Sequence, residues 1–200
     1  KALKPQIIAL REQWSREDAF IAEPQDQHLP FALSDVQSAY YIGRQQAFNC
    51  GGIGCHGYFE IEASRWDAPR LEAAWNRLVA RHAMLRAVVN PQGEQQILPS
   101  VPHFNIASRN ASPQALREEM SHRVYATDRW PLFDLQFSHT DAGDCLHFSI
   151  DLLIADALSI QILLAELWRE YRGESAGDEL TVSFRDVIQY QQRQQRYRCY

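Results

Sequence analysis

The sequence predicts an α/β fold of the α+β type: a two-layer lobe in which helices pack against a mixed or antiparallel sheet. Helix and strand patterns follow one another in the order helix, strand, helix, hairpin, helix, hairpin, helix. Two pairs of strand patterns are separated by turn sequences of hairpin length, and hairpins join antiparallel strands. This mixed order favours two packed layers over a doubly wound parallel sheet.

The first half of the chain contains three helix patterns and one clear strand pattern. Residues 1–23 have the pattern of a polar helix, and Ser34 is placed to cap a second helix. Residues 58–63 alternate apolar and polar side chains with the period of a half-buried strand. Asp67 and Pro69 then open a third helix. Its apolar face consists of Leu71, Ala74, Trp75, Leu78 and Val79.

The second half of the chain contains two hairpins and three further helices. Residues 85–89 and 95–98 form a short strand pair around the turn sequence PQGE. Residues 134–140 and 145–151 flank the sequence Asp-Ala-Gly-Asp, which is typical of a hairpin turn. Helices are predicted after Ser112, over 158–171 with Gly173 as the C-cap, and over the polar segment 185–200.

The composition excludes several classes of protein. A formal net charge of -5 argues against a nucleic-acid partner, because such proteins usually present a basic face. The most apolar segment, 152–168, contains charged residues and is shorter than the roughly 20 apolar residues that a bilayer requires. No signal peptide is visible, and the four cysteines form no dense disulfide framework. We therefore expect a cytoplasmic protein with free thiols and no membrane contact.

The glycine-rich segment 50–57 is a candidate phosphate loop or metal site. As a phosphate loop it lacks a lysine, and it precedes a strand instead of leading from a strand into a helix. As a zinc site it offers Cys50, Cys55 and His56, but no second Cys or His pair follows at a finger-like distance. We expect a close-packed loop without metal.

The seven histidines do not cluster in the sequence. His139 and His147 lie on adjacent strands of the predicted hairpin, where they are candidates to face each other. A single strand histidine is more often a surface or core residue than a catalytic one, so the pattern alone assigns none of them a role.

Asp151 and Asp156 form the most informative pair in the sequence. They lie where a strand ends and an apolar helix begins, and the four residues between them are apolar. We therefore expect both carboxylates to be partly sheltered. A sheltered carboxylate either pairs with a cation or has a raised pKa, and both situations are found at active sites and in ordinary architecture. Asp156 is also a possible helix N-cap.

Four segments resemble, in the right order, the motifs of heterocyclization domains, a branch of the condensation-domain superfamily in nonribosomal peptide synthetases. Residues 31–44, FALSDVQSAYYIGR, are similar to the opening motif, with Ala32 where the family has Pro. Residues 81–86, RHAMLR, are similar to its RHxMLR motif, and residues 129–133, RWPLF, to the segment before the central hairpin. Residues 151–159, DLLIADALS, resemble the DxxxxDxxS motif that distinguishes this branch.

The same resemblance bears on the reaction. Ordinary condensation domains have the sequence HHxxxDG at this point, and its second His is their catalytic residue. In this chain Asp151 stands at the first His, Leu152 at the second and Asp156 at the Asp. Since a leucine side chain takes up no proton, the resemblance excludes simple condensation by that His.

The resemblance implies a fold like that of chloramphenicol acetyltransferase, with two similar lobes in a V and a tunnel between them. Residues 1–28 would be a helical linker from an upstream domain, and residues 29–200 the N-terminal lobe. The C-terminal helix pattern has no Gly or Pro stop signal, so we expect the chain to be cut from a longer protein. The C-terminal lobe and an adenylation domain would belong to the same polypeptide.

The implied activity is that of a siderophore or other secondary-metabolite synthetase. An acyl thioester on an upstream carrier protein would be joined to Cys, Ser or Thr on a downstream carrier and then cyclized, with loss of water, to a thiazoline or oxazoline. No metal or bound organic cofactor is implied, because the phosphopantetheine arms belong to the carrier proteins. We expect this lobe alone to be inactive, since residues thought to assist ring closure lie largely in the other lobe.

The resemblance also suggests roles for single residues. Asp151 and Asp156 are the catalytic candidates, with Asp151 orienting either the following helix or a substrate amine. Arg86 and Asp156 are expected to form a buried ion pair that shapes the tunnel floor. Ser159 is expected to bond to Asp156 or to the backbone. Tyr40 and Arg44 are candidates for the lobe interface or the tunnel mouth.

Two other functions remain open. The chain could be a non-catalytic lobe that only docks carrier proteins, which would show carrier affinity without turnover. It could also be a stand-alone acyltransferase that acts on coenzyme A thioesters. The second is disfavoured, because such enzymes need the His that Leu152 replaces.

Overall fold

The computed structural model describes residues 20–44, 54–140 and 143–198. Most of the helix predicted over residues 1–23 lies outside these described residues, as do Cys50 and Cys199. No helix in the described ranges is long and apolar enough to span a bilayer.

The main sheet has four strands in the order β2-β7-β6-β5. The β2/β7 and β6/β7 pairs are antiparallel, whereas β5 runs parallel to β6 at the edge. The prediction of a mixed sheet is therefore confirmed, although the three-residue strand β5 is too short to produce a periodic sequence pattern. The strands are β2 His56–Ala63, β5 Ala107–Arg109, β6 Phe133–Thr140 and β7 Gly143–Asp151.

A second, three-stranded sheet has the order β1-β4-β3 and is antiparallel throughout. Its strands are β1 Phe31–Ala32, β3 Ala87–Val89 and β4 Glu94–Ile97. The predicted hairpin of β3 and β4 is confirmed. The two-residue strand β1 was not predicted, because pairing with β4 and not a local pattern defines it.

Of the five α-helices in the described residues, four begin where capping residues were predicted. The Ser34 hydroxyl accepts from Gln37 N while the Gln37 side chain accepts from Ser34 N, which completes a capping box. Asp67, Ser112 and Asp156 cap three later helices. The helices are α1 Asp35–Gly43, α2 Ala68–Arg81, α3 Pro113–Met120, α4 Ala157–Arg172 and α5 Phe184–Arg198.

The core lies between one face of the main sheet and helices α2 and α4. The ring of Trp75, fully buried on α2, lies 5.1 Å from Phe133 and 5.3 Å from Phe148 between ring centroids. All five residues predicted for the apolar face of α2 are buried. Hydrophobic burial of this kind supplies the main driving force for packing a helix on a sheet.

The opposite face of the main sheet is polar and still buried. Alternate residues of β7 point to this face, beneath α3 and the segment that follows it. Every buried donor or acceptor here needs a partner inside the protein. The residues of β7 that point to this polar face are Cys145, His147, Ser149 and Asp151.

The expected contact between His139 and His147 is wrong. In the β6/β7 register His147 lies opposite Gln136, and His139 lies opposite Asp144. That contact would require Thr140 to lie opposite Leu146, whereas Thr140 pairs directly with Gly143, three residues earlier on β7. His139 Nδ1 instead contacts the Asp144 carboxylate at 2.7 Å.

Candidate functional site

The candidate site is the turn between β7 and α4, residues 151–156. Asp151 ends β7 and is completely buried, a stronger shelter than the partial one that the sequence predicted. Its backbone N–H donates to Leu132 O at 2.9 Å, and its carbonyl accepts from Ile154 N at 3.1 Å. Leu152 N donates to Cys55 O at 2.9 Å, which ties the turn to the start of β2.

Arg44 is the cationic partner of Asp151. Its two terminal nitrogens reach the two carboxylate oxygens at 2.8 Å each, the two-point contact that a planar guanidinium makes with a carboxylate. Only 7% of the Arg44 side chain and 1% of the Asp151 side chain are exposed. Asp151 Oδ1 also accepts from Leu153 N at 2.9 Å, so the carboxylate fixes the turn that follows it.

Arg44 follows the last residue of α1, and Tyr40 lies one turn earlier. Tyr40 is half-buried and packs against the core, while its carbonyl accepts a long 3.5 Å hydrogen bond from Arg44 Nε. The sequence placed both residues at a lobe interface or tunnel mouth, and that role stays a prediction. Their position beside Asp151 comes from the fold alone.

Asp156 is an exposed helix cap, which corrects the expectation of a sheltered carboxylate. Its Oδ1 accepts from Ser159 N at 2.7 Å. Of the two partners predicted for Ser159, Asp156 or the backbone, the structure thus shows Asp156. This backbone hydrogen bond lowers the pKa of Asp156, with a further contribution from the Ser159 hydroxyl. The carboxylate therefore stays ionised at neutral pH and stabilises the N-terminus of α4.

The predicted ion pair between Arg86 and Asp156 is wrong. Among the ion pairs of the described residues none joins these two side chains. Arg86 instead donates to three carbonyl oxygens, those of Val79 at 2.5 Å, Ala80 at 2.7 Å and Leu98 at 3.2 Å. The first two belong to the last turn of α2, whose carbonyls have no partner within the helix.

The physical reason for that correction is the location of each charge. Arg86 meets the negative end of the α2 dipole, so a cation there is stabilised without a carboxylate. Burial lowers the pKa of the Arg86 guanidinium, and the three carbonyls compensate for the water it has lost. The cation that the buried Asp151 needs is supplied by Arg44, which lies 107 residues away in the sequence.

Two buried glutamines at the site were not predicted as functional residues. Gln37 Nε2 donates to Leu153 O at 2.7 Å and to Gln95 Oε1 at 2.9 Å. The position of Gln37, three residues after Ser34, is a capping-box signal that predicts a local role only. No sequence pattern places Gln95, on β4, next to it.

A second polar cluster lies on the buried face of the main sheet. His147 Nε2 is 2.7 Å from Ser138 Oγ, and His147 Nδ1 is 2.6 Å from the Tyr58 hydroxyl. Tyr58 donates its proton to Glu60, which is in turn paired with Arg117. Since that proton is used, His147 donates from Nδ1 to Tyr58 and accepts from Ser138 at Nε2.

The electrostatics of this cluster favour a neutral imidazole. Burial lowers the pKa of His147, and the attraction of Glu60 offsets this only in part. The hydrogen bond from Arg117 lowers the pKa of Glu60, whereas burial raises the pKa of the Tyr58 phenol. The His147 side chain is fully buried, whereas Arg117, at the outer end of the cluster, is exposed.

The cysteines are the residues for which the sequence raised the possibility of a metal site. Cys55 and Cys145 carry free thiols, and burial raises the pKa of the Cys145 thiol. Over residues 20–44, 54–140 and 143–198, no group of three or more His, Cys, Asp or Glu side chains could hold a metal ion. Cys50, the other predicted thiol, lies outside the described residues.

The chain is similar to segments of a pyochelin synthetase and of a phenyloxazoline synthase. It is 36% identical over 203 residues to pyochelin synthetase PchF of Pseudomonas aeruginosa, a match that covers 96% of this chain and 11% of that protein. It is 34% identical over 164 residues to phenyloxazoline synthase MbtB of Mycolicibacterium paratuberculosis, covering 76% of this chain and 14% of that protein. The chain thus spans a small part of the relatives it matches.

The fold is similar to that of a solved cyclization domain. The EpoB cyclization-docking bidomain from Sorangium cellulosum matches with a TM-score of 0.80 and 31% sequence identity, covering 94% of this chain and 40% of that one. The expectation of a lobe related to condensation domains is confirmed by this match. The sequence model for the condensation domain also matches residues 30–199. The chain therefore belongs to the condensation-domain family of nonribosomal peptide synthetases.

Proposed function

We propose that this chain is the N-terminal lobe of a heterocyclization domain. The intact domain joins an acyl group, held as a thioester on an upstream carrier protein, to Cys, Ser or Thr held on a downstream carrier. The amine attacks the thioester carbonyl and the carrier thiol leaves. The side-chain thiol or hydroxyl then attacks the new amide carbonyl, and loss of water gives a thiazoline or oxazoline.

One observation carries this proposal: the turn after β7 offers no general base where ordinary condensation domains have their catalytic His. Leu152 occupies that position and takes up no proton. The neighbouring carboxylate of Asp151 is occupied by Arg44 and by Leu153 N. The names of PchF, MbtB and EpoB, a pyochelin synthetase, a phenyloxazoline synthase and a cyclization domain, support the same reaction class.

The chain's own residues would then act by shaping the reaction space. The buried ion pair of Arg44 and Asp151 would hold the turn at the tunnel, and Asp156 would hold the start of α4. A rigid wall that excludes water and orients two thioesters can supply much of the acceleration for a bimolecular step. Proton transfer during ring closure is assigned to the part of the domain that this chain does not span.

The partners follow from the reaction. Two carrier proteins would present their phosphopantetheine arms from opposite ends of the tunnel, so the arms are substrates and not cofactors of this chain. The C-terminal lobe and an adenylation domain would complete the polypeptide. We expect the 200-residue chain alone to form no product, because it covers 40% of the EpoB chain it resembles.

The experiment compares the complete polypeptide with the 200-residue chain. Both are incubated with an acyl-loaded donor carrier and an acceptor carrier loaded with Cys, Ser or Thr, and products are followed by intact-protein mass spectrometry. An acceptor loaded with Ala is the matched control, because its side chain can give no more than a linear amide. The proposal is supported if the complete polypeptide forms heterocycle and the 200-residue chain does not.

Two other outcomes would contradict it. Linear amide without ring formation would assign ordinary condensation to the domain. Binding of carriers without any product from the complete polypeptide would favour the docking-lobe alternative.

A further inference from the structure

The turn 151–156 is held from α1 at two points. Arg44, just after the helix, binds the carboxylate of Asp151, and Gln37, in the first turn of the helix, donates to Leu153 O at 2.7 Å. Leu153 N is meanwhile bonded to Asp151 Oδ1 at 2.9 Å. Both polar groups of Leu153 are therefore fixed, and the direction of the adjoining Leu152 is fixed with them.

Gln37 does not act alone, because its side-chain amide is paired with that of Gln95. Gln37 Nε2 donates to Gln95 Oε1 at 2.9 Å, and Gln95 Nε2 donates back to Gln37 Oε1 at 3.0 Å. The second proton of Gln95 Nε2 goes to Ala32 O at 2.9 Å, and Gln37 Oε1 also accepts from Ser34 N at 2.9 Å. All four side-chain N–H groups of the pair thus have a partner.

Burial makes this arrangement restrictive. Gln95 is fully buried and Gln37 is 6% exposed, so neither amide can exchange its partners for water. Rotating either amide would leave buried donors or acceptors unpaired, at a cost of about 1–3 kcal/mol each. The pair therefore has one favourable arrangement, and in that arrangement Gln37 points one N–H at Leu153 O.

The pair also joins separate parts of the fold. Gln95 lies on β4, in the middle of the three-stranded sheet, and Ala32 lies on β1 at its edge. Gln37 lies on α1, and Leu153 lies two residues after the end of β7, a strand of the four-stranded sheet. A continuous chain of buried amide hydrogen bonds thus links the three-stranded sheet to the candidate site.

We propose that Gln37 and Gln95 are positioning residues of the reaction site. Gln95 fixes the orientation of the Gln37 amide, and Gln37 fixes the Leu153 carbonyl, so that Asp151 and Leu152 face the tunnel in one geometry. This inference rests on the proposed function, because it takes the turn 151–156 to be part of the site. It assigns the three-stranded sheet a role in the reaction, although this sheet lies at a distance from the reacting atoms.

The test uses Gln95→Met in the complete polypeptide, with Gln96→Met as the matched control. Gln96 is the next residue of β4 and also donates to a backbone carbonyl, that of His28 at 3.0 Å, which belongs to neither α1 nor the turn. Methionine keeps the length of the side chain and removes its donors. Two quantities are measured: amide hydrogen exchange at Leu153 and Ile154, and steady-state kinetics of product formation.

We expect Gln95→Met to speed exchange at Leu153 and Ile154 by about tenfold and to lower kcat by roughly 10- to 100-fold with little change in KM. Gln96→Met should leave both quantities within about twofold of the unsubstituted polypeptide. Gln37→Glu is the second variant, in case Gln95→Met does not fold. It keeps the acceptor for Ser34 N but loses the donor to Leu153 O, so the same changes are expected.

Unchanged exchange at Leu153 in either folded variant would overturn the proposal, as would faster exchange with unchanged kcat. Equal effects of Gln95→Met and Gln96→Met would overturn it as well, because they would indicate general loosening of β4. Failure of the proposed function would be seen separately, as absence of heterocycle from the unsubstituted polypeptide. The exchange comparison would still decide whether the amide pair holds the turn.

Discussion

Arg44 and Asp151 are 107 residues apart in the sequence and meet through two hydrogen bonds of 2.8 Å each. The contact joins the end of α1 to the end of β7, and both side chains are almost completely withdrawn from water. A lone buried carboxylate would be costly, and the two-point contact with a guanidinium compensates for its lost hydration. The first residue of the heterocyclization-like motif is therefore part of the architecture of the site.

The first prediction concerns this ion pair. Arg44→Ala and Asp151→Ala should each lower the free energy of unfolding by about 3–5 kcal/mol, because each leaves the other charge buried and unpaired. The double variant should lose much less than the sum of the two. Urea unfolding of the four proteins measures the coupling.

Arg44→Lys is the control that keeps the charge without the planar fork, and it should recover only part of the stability. Strictly additive losses would show that the two side chains do not depend on each other.

The second prediction concerns the cap at Asp156. Asp156→Ala should cost about 1 kcal/mol of unfolding free energy, and Asp156→Asn close to nothing, because asparagine also caps helices. Since Asp156 and Arg86 are not paired, the losses of Asp156→Ala and Arg86→Ala should add within about 0.5 kcal/mol. Denaturant unfolding of single and double variants decides this, and a coupling of several kcal/mol would restore the ion pair that the fold excludes.

The same cap has a pH dependence of known sign. The hydrogen bond from Ser159 N lowers the pKa of folded Asp156 below its value in the unfolded chain, about 3.9. The contribution of the cap is therefore complete above the unfolded pKa and is lost as pH falls through the folded pKa. Asparagine does not titrate, so the natural chain should become less stable than Asp156→Asn as the pH is lowered through this window.

The third prediction concerns His147, whose folded pKa lies below that of the unfolded chain because the ring is buried. The unfolded state then binds a proton more readily, so stability should be complete above about pH 6.5 and should decrease as pH falls from there toward the folded pKa. His147→Gln removes this titration while keeping a donor and an acceptor, and it should flatten the dependence. Thermal or urea unfolding between about pH 7.5 and 5 measures it.

The control for that measurement is His122→Gln, because His122 is exposed and lies outside the cluster. It should keep the slope of the natural chain. An equal slope in the natural chain and in His147→Gln would mean that the imidazole is not held neutral by burial.

The fourth prediction is that Leu152→His does not restore ordinary condensation. A catalytic histidine needs a hydrogen-bond acceptor to orient its ring, and the nearest carboxylate, Asp151, is already bonded to Arg44 and Leu153 N. The complete polypeptide carrying Leu152→His should form linear amide at a rate within about threefold of the unsubstituted protein. Mass spectrometry of carrier-bound products measures this, with Leu152→Met as a control for a change in side-chain shape. A large gain in linear amide would mean that the surroundings already support such a histidine.

Local chemistry in the sequence determined the helices and the long strands. Caps at Ser34, Asp67 and Asp156 and the alternating pattern of residues 58–63 act over a few residues, so they can be read without knowing the fold. The motif resemblance likewise located the segment 151–159, which contains the turn and the start of α4, and the family match over residues 30–199 supports it. The very short strands β1 and β5 escaped prediction, because only pairing with a distant strand defines them.

The tertiary structure alone decided which groups meet at that turn. The sequence indicated correctly that Asp151 is sheltered, but it assigned the cation Arg86 to Asp156, while the fold brings Arg44 to Asp151 and directs Arg86 to the carbonyls of α2. It gave no sign that Gln95 would meet Gln37. A charged or amide side chain carries no information about its partner beyond its own turn or strand. Its partner is selected when packing removes water and leaves one arrangement in which every buried polar group is bonded.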